Sequence, residues 1–137
     1  MEGVVMAQDQ FRLLAVPFSR GAARTARVEL ARELRASAVR QSVIDDALVV
    51  LSELVTNAVR HAKPGPNGQV GVEYALEPQR LWLRVSDGGR REPVADRTHV
   101  HESVGGRGLS IVAALADSWD FERDESGTTV TAVFDLV

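Results

Sequence analysis

Hydrophobic residues follow two different periods along this chain, and each period marks a kind of element. The short apolar run from Phe11 to Phe18 reads as a strand, and Ser19 after it as a helix N-cap. Residues 20–36 then place Ala23, Ala26, Leu30 and Leu34 on one face among arginines, as an amphipathic helix does. A second helix is signalled more strongly. Ser42 with Asp45 looks like a capping box. Beyond it Ile44, Leu48, Leu51, Val55, Ala58 and Ala62 recur at three- and four-residue steps. The Pro- and Gly-rich stretch Lys63 to Gly68 stops this helix.

The period then changes to two. Val70, Val72, Tyr74 and Leu76 point one way along one run, and Leu81, Leu83 and Val85 do so along the next. The four residues 77–80 are short enough to join the two runs as an antiparallel hairpin. Residues 88–107 are polar, rich in Gly and Arg, and without period. Such a long loop in a small domain is usually functional. A third helix is expected over 108–117, followed by two strands with a turn at Ser126-Gly127. Strands and helices do not alternate as a Rossmann-like fold requires. The order predicts an α+β fold, a two-layer α/β sandwich with helices on one face of a mixed, mostly antiparallel sheet. Residues 1–9 read as an N-terminal tail and residues 10–137 as one domain.

Composition narrows the function. A chain of 137 residues that is 45% hydrophobic and 26% charged suits one soluble domain with a genuine core. A net charge of -3 argues against a general nucleic-acid binder. There is no cysteine, which excludes disulfides, thiol catalysis and thiolate metal sites. His61, His99 and His101 do not have a zinc-binding spacing. No run is apolar and long enough for a transmembrane helix, and the N-terminus lacks a signal peptide's pattern. A cytoplasmic location, with no membrane partner, is therefore expected.

Three groups of residues carry candidate chemistry. Glu53 and Asn57 are four apart and share a helix face, a stripe that Asp46 and Arg60 extend. A solvated helix face gives the same stripe. Chemically, however, a carboxylate beside an amide can hold a proton and a hard cation, and the Asn oxygen suits Mg²⁺. Asp87 ends a strand and is followed by Gly88-Gly89. That is the pattern of an ordinary Asp-Gly turn. It also sets a carboxylate where it could accept from an exocyclic amine such as that of adenine, with Gly89 letting the backbone approach the ring. Finally, Gly105, Gly106, Arg107 and Gly108 lead straight into Leu109 and a helix. Free backbone N–H groups at a helix start suit phosphate. The Lys-Ser or Lys-Thr of a Walker A loop is absent. His61 is expected to cap its helix, His99 and His101 to be solvated, and Trp82 and Trp119 to pack the sheet against its helices.

In this order and spacing the groups resemble the Bergerat-type ATP-binding fold of histidine kinases and gyrase. Leu51 to Ala62 looks like its N box, and Val85 to Gly89 like its first glycine box. Gly105 to Leu109 looks like the second, and Gly127-Thr128-Thr129-Val130 resembles its terminal Gly-Thr strand. Glu53-x-x-x-Asn57-Ala58-x-x-His61, in a domain standing alone with a short lid, resembles the anti-sigma-factor serine/threonine kinases. The resemblance implies that Asp87 binds the adenine amine with help from Thr128, and that Asn57 holds Mg²⁺. Glu53 would be the general base toward an acceptor serine, and Gly105, Gly106, Arg107, Gly108 and Leu109 would wrap the phosphates. It further implies ATP as the nucleotide, a small anti-sigma-factor antagonist as substrate, a sigma factor as second partner, and a chain able to form a homodimer. Arg91 stands where the first glycine box ends in glycine, which favours the alternative of a non-catalytic ATP-dependent binding switch. Autophosphorylation on histidine is not expected, since nothing like a phosphoacceptor helix precedes the domain.

Overall fold

The computed structural model describes residues 10–89 and 109–137, in which five strands form one antiparallel sheet. The strands are β1 (Arg12–Leu14), β2 (Gly71–Leu76), β3 (Arg80–Ser86), β4 (Ser118–Asp124) and β5 (Gly127–Asp135), in the order β1-β2-β3-β5-β4. Two long helices, α1 (Ala22–Ala36) and α2 (Gln41–His61), pack on one face of it. Residues 109–115 form a further helix, α3. The expected α+β two-layer sandwich is therefore what the chain forms, with every described pairing antiparallel.

Side-chain period explains the layers. Leu81, Leu83 and Val85 on β3 and Val130, Ala132 and Phe134 on β5 are buried in the cluster that α1 and α2 cover. Leu30 and Leu34 of α1 meet this core, as do Leu51 and Val55 of α2. Tyr74 on β2 donates its hydroxyl to Glu33 Oε1 at 2.8 Å, which ties the sheet to α1. Burial first, then the hydrogen bond to Glu33, raises the Tyr74 pKa above its usual value.

Several local expectations differ from the structure. The first strand is only three residues long, and Pro17 bridges to Gln69 beyond it. Ser19 caps nothing with its side chain. Helix α1 begins after Gly21, and only the Ser19 carbonyl takes part, accepting from the Ala22 amide. The Ser42–Asp45 box does not form either. Helix α2 starts two residues earlier, with Arg40 rather than Ser42 at the cap, and Asp45 instead accepts from the Gln41 side chain at 2.8 Å. Trp82 does not face the helices. Even-numbered positions of β3 point outward, so Trp82 joins Ala75 and Val133 on the outer face of the sheet, with Phe11 packed against them. Trp119 does pack against the core under the helices.

Candidate functional site

The site lies where the C-terminal end of α2 meets the ends of β3 and β5. Helix α2 stops because Pro64 cannot continue it and pushes the preceding residue out of helical geometry. The departing chain then bonds to the end of β3. Lys63 N–H donates to Gly89 O at 2.7 Å, and Gly88 N–H donates to Lys63 O at 2.8 Å. Gly88 has to be glycine here, because a Cβ would run into the Pro64 carbonyl. Gly127 is pressed likewise against the Asp87 carbonyl, at φ +146.

Asp87 is held from two sides. Its Oδ1 accepts the Gly89 amide at 2.8 Å and the Thr128 amide at 3.2 Å. Oδ2 accepts nothing among the described residues. With Oδ1 Asp87 closes an Asp-Gly turn, the commoner of the two readings of this sequence. Gly89 adopts φ +102, a conformation that glycine takes at little cost, and a Cβ there would have room. The turn by itself is enough to favour glycine here.

Asp87, Asn57 and Thr128 line one small cavity of about 30 Å³, together with Leu54, Ala58, Val85 and Val130. The three come from α2, the end of β3 and the start of β5. Glu53 lies one helical turn before Asn57, is half-buried, and has no side-chain partner among the described residues. It is near this cavity in sequence but is not part of its wall. Thr128 is the one polar residue among the buried set described. Leu109 is the first described residue of α3, and its side chain is buried in the core. Gly105, Gly106, Arg107 and Gly108 lie outside the described residues, as do Arg91, His99 and His101.

Ala62 and two polar residues complete the lining. His61 closes α2 and faces the site as well as ending its helix. Arg123 is opposite Thr128 in the β4–β5 register, and its Nε lies 3.4 Å from Thr128 Oγ1. A sequence signal for it existed. Trp119, Phe121 and Arg123 share one phase of β4, and a charge in an otherwise apolar inward phase is unusual.

As a fit to Mg²⁺ and ATP, the donor set is coherent. Asn57 offers one neutral oxygen, and Mg²⁺ commonly takes one or two protein ligands and completes its shell with phosphate and water. The free Asp87 oxygen accepts only, as an adenine amine requires. The cavity itself has room for about two waters, so a purine must widen it.

A fold of helices over one antiparallel sheet, with an Asn-bearing helix and a strand-end Asp at one cavity, defines a class of nucleotide-site protein. The chain belongs to the histidine kinase-like ATPase domain family, which it matches over residues 16–134. It is 30% identical over 99 residues to the serine-protein kinase RsbW of Listeria monocytogenes, covering 64% of this chain and 63% of that protein. Against RsbW of Bacillus subtilis the identity is 32% over 99 residues, covering 64% and 61%. The chain thus spans somewhat under two thirds of the length of these relatives. Among solved structures, it superposes on the RsbU and RsbW domains of Rv1364c from Mycobacterium tuberculosis with a TM-score of 0.72 at 25% identity. That match covers 92% of this chain and 32% of the other. The histidine kinase AdeS of Acinetobacter baumannii shares the fold, with a TM-score of 0.52 at 15% identity over 92% of this chain and 67% of that one. No helix among the described residues is long and apolar enough to cross a membrane.

Proposed function

We propose that this chain is a bacterial Mg-ATP-dependent serine kinase of the anti-sigma-factor type, acting in the cytoplasm on a small antagonist protein. The observation that carries the proposal is the convergence of Asn57, Asp87 and Thr128 on one cavity, with Glu53 one turn away on the same helix. Asp87 Oδ2 would accept from the adenine amine, and Thr128 would flank the base. Asn57 would hold Mg²⁺, which when bound offsets the charge of the transferring phosphoryl group. The backbone at Gly105, Gly106, Arg107, Gly108 and Leu109 would receive the phosphates at the start of α3.

Glu53 is unpaired among the described residues and can take the proton from an acceptor serine hydroxyl. Such assistance contributes on the order of 10²–10⁴-fold. Most of the remaining rate enhancement comes from holding the reactants in line. The phosphoacceptor we assign is the antagonist, and the second partner a sigma factor, which the protein would hold when the antagonist is phosphorylated.

The decisive experiment incubates the protein with labelled Mg-ATP and its cognate antagonist. Label should appear on a serine of the antagonist with the native chain and be nearly lost with Glu53→Ala. ATP binding without any transfer by the native chain would overturn the kinase assignment and leave a nucleotide-loaded binding protein.

A further inference from the structure

Thr128 connects two charged groups of opposite sign across the strands. On one side its amide donates to Asp87 Oδ1 at 3.2 Å. On the other, its hydroxyl oxygen lies 3.4 Å from Arg123 Nε. Asp87 follows β3, Thr128 is on β5, and Arg123 is on β4, neighbouring strands in the sheet. A carboxylate, a hydroxyl and a guanidinium therefore stand side by side along one wall of the same cavity.

We propose that Arg123 is a base-recognition residue that donates to the ring nitrogen flanking the adenine amine. The proposal rests on the nucleotide reading above and adds a residue that none of the sequence boxes contains. The first argument is chemical. A carboxylate only accepts and a guanidinium only donates. Adenine presents the matching pair, an amine that donates beside ring nitrogens that accept. Guanine offers a carbonyl where the amine would be, and its N1 carries a hydrogen. Arg123 facing N1 therefore adds to the discrimination that Asp87 begins.

The second argument is spatial. At about 30 Å³ the cavity must widen for any purine. Leu54, Val85 and Val130 are almost wholly buried, and shifting them would open the close-packed core. Arg123 is half-exposed, long and flexible, and it stands on β4, the edge strand of the sheet. With the exposed His61, it belongs to the part of this wall that lies outside the packed core. The same side chain that yields to the base is left beside it as a donor.

Calorimetric titration with ATP, 1-deaza-ATP and 7-deaza-ATP tests this, because each analogue lacks one ring nitrogen next to the amine. The native chain should bind 1-deaza-ATP about ten-fold more weakly than ATP, the loss of one charge-assisted hydrogen bond, and 7-deaza-ATP about as tightly as ATP. Arg123→Ala should bind ATP itself about ten-fold more weakly and treat ATP and 1-deaza-ATP alike. Arg123→Lys, which keeps a donor and the fold, should recover part of the discrimination. Native protein that binds ATP and 1-deaza-ATP equally tightly overturns the role of Arg123 and leaves the nucleotide reading intact. So does discrimination that persists in Arg123→Ala. If the native chain binds no ATP, the nucleotide reading fails and this inference with it.

Discussion

Asp87 and Thr128, 41 residues apart, are joined twice: the Asp87 amide donates to the Thr128 carbonyl at 3.0 Å, and the Thr128 amide donates to the Asp87 carboxylate at 3.2 Å. One carboxylate oxygen is thereby spent on the fold, and the other is the one assigned above to the adenine amine. Substitutions at Asp87 should separate the two tasks.

Asp87→Asn keeps an oxygen for the backbone amides and replaces the accepting Oδ2 with a donor. It should fold normally and bind ATP roughly ten- to a hundred-fold more weakly, as read by calorimetry. Asp87→Ala should in addition lose about 1–3 kcal/mol of stability, because two amides lose their acceptor. Native-like ATP affinity in a folded Asp87→Asn protein would sink the adenine assignment.

Glu53 and Asn57 share a helix face but are assigned different work. Asn57→Ala should weaken Mg-ATP binding more than binding of the metal-free nucleotide. Glu53→Ala should bind Mg-ATP close to native affinity while phosphoryl transfer falls by about 10²–10⁴-fold. Equal transfer rates in Glu53→Ala and the native chain would remove Glu53 from the chemistry.

Gly88→Ala forces a methyl group against the Pro64 carbonyl, where the end of α2 is bound to the end of β3. Overpacking of this kind costs roughly 1–3 kcal/mol. The loss should be visible in urea denaturation, and ATP affinity should fall as well, since this junction positions Asp87. A Gly88→Ala protein of native stability would mean that the junction relaxes freely.

Asp124 holds the β4–β5 turn just before Gly127 and Thr128. Its Oδ1 accepts from the Ser126 hydroxyl at 2.6 Å, the Ser126 amide at 2.8 Å and the Gly127 amide at 3.2 Å. The Ser126 hydroxyl first, and then the Ser126 amide, lowers its pKa below the ordinary 3.8. Its folded pKa being the lower one, ionised Asp124 adds stability above that ordinary value, and the addition disappears as pH falls through the folded pKa. Thermal unfolding of Asp124→Asn should therefore fall short of native at neutral pH and converge with it in acid. A gap that does not change with pH would show that the charge has no part in the turn.

The elements were legible from local sequence because each keeps its own period. The alternation at Leu81, Leu83 and Val85 and the three- and four-step run through α2 depend only on which face is buried. The places of the N box, the first glycine box and the terminal Gly-Thr strand were legible for a related reason: each is a pattern of a few adjacent residues on one helix face or at one strand end. Helix starts were less so. Ser19 and Ser42 had the right residue type, yet backbone geometry placed the caps at Gly21 and Arg40. The side on which Trp82 packs depended on strand parity relative to helices far away in sequence. Tertiary structure alone decided the rest. Pairing of β3 with β5 brings Thr128 to Asp87, pairing of β4 with β5 brings Arg123 beside Thr128, and the end of α2 closes Asn57 over both. These contacts span dozens of residues, and no local pattern encodes a distance between strands that meet only when the whole sheet has formed.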